Sequence, residues 1–144
     1  MSREQNMSCI EVGEPQHWMN YRFAHPLLPR PAKGKHFLKD ELGLSGMEIS
    51  INSLPAGIAM PFWHSHRLNE EVYVFLSGEG EFCVDERIVP VGPGSVVRVA
   101  PEGQRCWRNT GKEPLNYLVI QARAGSMDGA TIEDGVPTPG NPWM

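Results

Sequence analysis

The sequence is poor in cysteine, in clustered basic residues and in long apolar runs, and each shortage removes a class of protein. Its three cysteines, Cys9, Cys83 and Cys106, are an odd number at no metal-ligand spacing. That pattern argues against a disulfide framework or a cysteine zinc site and fits free or buried thiols in a reducing cytoplasm. The apolar run Val72 to Leu76 is far too short to span a bilayer. Residues 1–5 include Arg3 and Glu4 with no apolar stretch behind them, so no secretory leader is expected. Lys and Arg number 13 against 17 Asp and Glu, a net charge of −4, and no stretch concentrates the basic residues. Nucleic acid and anionic membrane are therefore not expected as partners. Long helices are also excluded. The 15 glycines and 13 prolines are spread along the chain, which suits many short strands joined by tight turns.

What remains is a chain of 144 residues, enough for one domain that buries roughly two-thirds of its unfolded surface without staples. Residues 1–45 are broken by Pro15, Pro26, Pro29 and Pro31 and read as an arm packing on a core, with one helical turn over Lys39 to Leu44. Residues 46–123 carry the strand signals. Met47 to Asn52 alternates apolar with polar, as a strand with one buried face does, and Val72 to Leu76 reads as a strand covered on both faces. Glu81 to Val84 and Arg87 to Val91 flank Asp85-Glu86 as a two-residue hairpin would. Ser95 to Ala100 and Leu115 to Ala122 complete the set, and residues 124–144 are a Gly/Pro-rich tail with few core formers. The expected class is all-β.

Chemistry concentrates in Pro61 to Glu71. In extended chain, His64 and His66 point to the same face about 6.7 Å apart, close enough to grip one divalent ion. Glu71, at the start of the next strand, shares a face with Tyr73 and Phe75 and is the carboxylate that completes the set. Two neutral nitrogens and one oxygen anion suit iron(II), manganese, zinc or nickel. The alternative is a pair of surface histidines beside an acidic turn. His17, His25 and His36 have no paired spacing and read as surface or capping groups, with Lys33, Lys35 and His36 placed to edge a pocket.

This stretch resembles the first motif of the cupin superfamily. Four residues separate His66 from Glu71 and six separate Glu71 from Gly78, as in that motif, whereas Gly57 lies one residue further from His64 than the pattern asks. Gly94 to Gly103 resembles the segment before the second motif with one residue extra, and Asn109 to Pro114 resembles the turn after it. The family's second-motif histidine is missing. Counting back from Asn109 puts Arg105 in its slot, and counting forward from Gly103 puts Cys106 there. An arginine there would be a fixed cation with five donors, facing an anionic substrate or Glu71. A cysteine would be a fourth ligand favouring zinc or copper.

The resemblance implies a double-stranded β-helix, or jelly-roll barrel, that pairs as a homodimer. It implies a divalent ion on His64, His66 and Glu71 and a small-molecule substrate in the barrel. Arg105 would orient that substrate, while Tyr73 and Trp107 would shape the pocket. The implied function is a metal-dependent enzyme of oxygenase, isomerase or lyase type. Alternatives are a non-catalytic binding or sensing module without an essential metal, or a structural protein with leftover histidines.

Overall fold

In the computed structural model, which describes residues 6–129 and 131–144, two antiparallel sheets face each other across an aromatic core. Residues 1–5, on which the expectation of no leader rests, lie outside the described residues. The strands are β1 (Arg22–Phe23), β2 (Ala32–Lys33), β3 (Lys35–Phe37), β4 (Glu48–Leu54), β5 (Asn69–Ser77), β6 (Gly80–Val84), β7 (Arg87–Val91), β8 (Val96–Val99), β9 (Arg105–Asn109) and β10 (Leu115–Arg123). A 3-10 helix (Pro15–Asn20) and a short helix, α1 (Lys39–Leu42), precede β4. The larger sheet runs β3-β4-β10-β5-β8 and the smaller runs β7-β6-β9, while β1 and β2 form a separate ribbon. This is the all-β, double-stranded β-helix class that the punctuation and the motifs imply. No helix among the described residues is long and apolar enough to cross a membrane.

Alternation in β5 builds the core. Glu71, Tyr73 and Phe75 are buried on the inner face, with Val72 and Val74 half-buried and Leu76 exposed on the outer. The run that reads as covered on both faces is therefore fully covered on one only. Inside, Phe82 stacks on Trp107 with centroids 5.5 Å apart, and Tyr73 meets Phe82 edge-on at 4.7 Å. Burying each of these rings contributes about 1.5–3 kcal/mol. The hairpin between β6 and β7 turns on Asp85, whose φ of 55° supplies the left-handed conformation that such turns need and Asp tolerates.

In β4 the alternation predicts one buried face, and the structure buries two. Ile49 and Ile51 pack outward under Trp18 and Leu38 of the N-terminal segment. The polar positions Ser50 and Asn52, each 2% exposed, face the barrel interior. The inner face stays polar because it lines a cavity. Strand β3, inside the stretch read as an arm, forms the edge beside β4 and pairs Lys35 with Asn52 and Phe37 with Ser50. Gly34 makes this possible: its φ is +76°, and a Cβ there would run into the Ser53 carbonyl. From Gly125 onward the described residues form no strand or helix and are exposed.

Candidate metal centre

Backbone pairing aims the two histidines. His64 and Arg105 exchange backbone hydrogen bonds of 3.2 and 3.0 Å, and the His66 N–H donates to the Pro101 carbonyl at 2.8 Å. Both rings are thereby turned toward the inner face of β5, with centroids 5.3 Å apart. One donor atom from each of His64, His66 and Glu71 lies within 4.8 Å of the others. His66 Nε2 is 3.3 Å from Glu71 Oε2, and His64 Nε2 is 3.6 Å from Oε1. His66 Nε2 is buried yet makes no hydrogen bond. A buried polar atom without a partner is costly unless something else satisfies it. Here the missing partner fits a cation: two imidazole nitrogens and a carboxylate oxygen, with positions left open for other ligands.

Arg105 fills the slot of the missing histidine, and Cys106 points away from the cluster. The Arg105 side chain is fully buried, and its Nη1 donates to Glu71 Oε1 at 2.7 Å. Its other donors go to the carbonyls of Ala100 (2.9 Å), Pro101 (3.2 Å) and Gly103 (2.9 Å from Nη2). With its donors committed inward, it does not line the cavity. The reading of Arg105 as a substrate-orienting group therefore gives way to one in which it holds Glu71. Cys106 Sγ instead contacts the Met60 carbonyl at 3.5 Å, and burial pushes its thiol pKa up. Tyr73 is likewise fully buried and off the cavity wall; its hydroxyl donates to Glu71 Oε1 at 2.6 Å.

Glu71 thus has one oxygen bound by Arg105 and Tyr73 and the other turned to His66. Burial alone would raise its pKa. The contacts from His64 and His66 and the Tyr73 hydrogen bond outweigh that effect and hold it well below the usual carboxylate range. Burial and the adjacent Glu71 charge push the Tyr73 hydroxyl well above its ordinary value, so it stays a proton donor to the carboxylate.

The cluster opens into a cavity of about 360 Å³. Its apolar wall comes from Phe23, Phe37, Met60, Phe62, Trp107 and Val119, and its other polar groups include His25, Lys35, Glu48, Ser50 and Gln121. Trp107 is fixed by a 2.8 Å hydrogen bond from Nε1 to the Tyr117 hydroxyl. Trp63 lies outside and is half exposed, and Arg98 is exposed opposite Glu70 on the outer face. His36 stacks on Tyr21 and pairs with Glu41, away from the cavity. His17 is exposed. His25, read as a surface group, instead stacks on Phe62 at the cavity wall.

The sequence reading missed Glu48 and Gln121 and gave Lys35 only a place at a pocket's edge. The available signal was parity: Glu48, Ser50 and Asn52 share a face of β4, and a polar face on a central strand marks a lined cavity. Lys35 adds a cation to this wall. Its Nζ donates to Asn52 Oδ1 at 2.8 Å and Ser50 Oγ at 3.3 Å. Burial lowers its pKa from 10.5 to about 8, against the opposing pull of Glu71 and Glu48.

The comparisons with known proteins follow the same lines. The cupin domain family profile matches residues 52–121. A cupin protein from Bacteroides fragilis, known from its crystal structure, is 38% identical, with a TM-score of 0.70; the match covers 82% of this chain and 98% of that one. Glucose-6-phosphate isomerase from Pyrococcus abyssi is 35% identical over 77 residues, 50% of this chain and 41% of that protein. The same enzyme from Pyrococcus horikoshii is 34% identical over the same length. The match thus spans less than half the length of these curated relatives. With the two-sheet barrel, the motif spacing and a near full-length relative in agreement, the chain belongs to the cupin family.

Proposed function

We propose that this cupin is a metal-dependent enzyme acting on a small polar substrate in the barrel cavity. The observation that carries this reading is the convergence of His64, His66 and Glu71 at one end of the cavity, with His66 Nε2 buried and unpartnered. His64, His66 and Glu71 would hold the ion, which when bound supplies Lewis-acid polarisation of a substrate oxygen. Arg105 and Tyr73 hold Glu71 Oε1, which leaves Oε2 turned to His66. Trp107, Met60 and Phe62 limit water at the reacting end.

Among oxygenase, isomerase and lyase chemistry, the likeness to glucose-6-phosphate isomerases over half of the chain favours isomerisation. By an enediol route, such a reaction uses a base that moves a proton between neighbouring carbons. Glu48 is the carboxylate of the cavity wall that stands outside the cluster. Its Oε1 accepts from the Leu38 and Lys39 amides at 3.2 and 2.8 Å, which fixes the carboxylate in place. We assign Glu48 that role.

One observation favours a second reading, a ligand-binding module with no essential metal. Arg105 already neutralises Glu71 inside the barrel, so the carboxylate has a countercharge without an ion. Metal analysis separates the two. Untagged protein purified without chelator, or reconstituted with iron(II), manganese, nickel and zinc in turn, should hold near-stoichiometric metal that His64→Ala loses. Absence of metal in every preparation would overturn the enzyme reading and leave the binding module.

A further inference from the structure

Two donors beside the cavity, on Lys35 and Ser50, have no acceptor among the described residues. The Lys35 ammonium has three protons, of which one goes to Asn52 Oδ1 and one to Ser50 Oγ. Asn52 Nδ2 also donates to Ser50 Oγ, at 3.0 Å, and to the Ser50 and Tyr117 carbonyls. The Ser50 hydroxyl therefore accepts twice, and its own proton has no acceptor among the described residues. The third Lys35 proton is likewise unspent, and among the described residues no carboxylate lies within ion-pair distance of Lys35. Both side chains line the cavity. Asn52 is buried and held by Tyr117, so it acts as a fixed bracket for the lysine.

The ring environment sharpens this. Lys35 Nζ lies 5.0 Å from the Phe37 centroid and 5.8 Å from that of Phe23, which stabilises the cation without supplying a hydrogen-bond acceptor. The Lys35 ammonium and Ser50 both sit over β4, with β10 between it and β5, which carries Glu71. The spare donors and the His64–His66–Glu71 cluster are therefore separate stations on one cavity wall. A ligand that meets both presents an oxygen-bearing reacting end to the cluster and an anionic group to the spare donors.

We propose that Lys35 and Ser50 form an anion seat that receives the terminal carboxylate or phosphate of the substrate, making this a cupin for small organic anions. The assignment rests on the reading of this cavity as the substrate site, and it goes beyond it by naming the charged group and the residues that take it. Lys35 and Ser50 are specificity-determining contacts. The apolar wall of Phe23 and Phe37 beside them raises the strength of the contact by excluding water.

Propionate and methyl phosphate, titrated separately into the full-length protein and followed by calorimetry and amide NMR shifts, provide the test. At least one should bind, with shifts at Lys35 and Ser50, and the one that binds identifies the seat as a carboxylate or a phosphate site. Lys35→Met should weaken that binding by about tenfold or more, as loss of a charge-assisted hydrogen bond does. Ser50→Ala, which keeps the lysine, should weaken it by a smaller factor. Failure of both anions to shift these residues in the wild-type protein would overturn the seat, and so would equal affinity in Lys35→Met with its fold intact by thermal melting. Metal content measured on the same samples separates this failure from that of the metal reading. Lys35-dependent binding in a protein that takes up no metal keeps the seat and removes the metal. Anion binding to metal-loaded protein that ignores Lys35 does the reverse.

Discussion

Replacing Arg105 with methionine is the perturbation whose cost the geometry defines best. The guanidinium is fully buried, sits 2.7 Å from a carboxylate that is 4% exposed, and also donates to the carbonyls of Ala100, Pro101 and Gly103. Removing one partner of a buried ion pair costs about 3–5 kcal/mol, because the surviving charge is left uncompensated. The deserted carbonyls add about 0.5–1.5 kcal/mol each. Against a typical domain stability of about 5–15 kcal/mol, the variant should be marginal. Three comparisons by urea denaturation isolate the cause. Arg105→Lys, which keeps the charge and loses the fork, should fall between the wild type and Arg105→Met. Adding Glu71→Gln to Arg105→Met should restore stability, since it removes the stranded charge. A divalent ion should stabilise Arg105→Met more than the wild type, because it takes over as countercharge. A loss below about 1 kcal/mol, the range of exposed pairs, would refute the reasoning. So would a double variant weaker than Arg105→Met alone.

Other consequences follow from the same cavity. Lys35 has a folded pKa of about 8 against an ordinary value of 10.5. Between these values the unfolded chain binds the extra proton, so this group makes stability rise with pH across that window and contributes no slope below it. Urea midpoints measured across the window should show the rise in the wild type and lose it in Lys35→Met. Glu71 works at the other end. Its carboxyl is held below the usual range, so its contribution is present above the ordinary carboxylate pKa and fades as acid approaches the lowered value. Glu71→Gln should flatten the acid limb of the stability profile. On the proposed isomerisation, Glu48→Gln should lower turnover of the substrate by about 10²-fold or more with metal content unchanged; unchanged turnover would remove Glu48 as the base.

The parts of the account legible in the sequence are those written in local spacing. His64 and His66 two apart, Glu71 in phase with Tyr73 and Phe75, and the hairpin around Asp85 each follow from the period of a strand. Arg105 in the place of the missing histidine followed from the Asn109 turn, which left open whether it faces a substrate or Glu71. Only the three-dimensional arrangement shows each of its three nitrogens engaged, with Glu71 or with the carbonyls of Ala100, Pro101 and Gly103. The polar face of β4 was visible as alternation, yet which face looks inward depends on what packs outside it. Ile49 and Ile51 are claimed by Trp18 and Leu38, residues distant in sequence, and this turns Ser50 and Asn52 toward the cavity. Lys35 was least legible. Its position depends on Gly34 letting an edge strand form from a proline-broken segment, and on a pairing with β4 that local patterns do not encode.

The central claim is that His64, His66 and Glu71 hold one divalent ion. Anomalous diffraction from crystals of the metal-reconstituted protein, collected at the metal's absorption edge, tests it directly. The account predicts a single strong peak among His64 Nε2, His66 Nε2 and Glu71 Oε2, absent in His64→Ala crystals. A wild-type crystal with no peak there, or with its peak elsewhere, would contradict it.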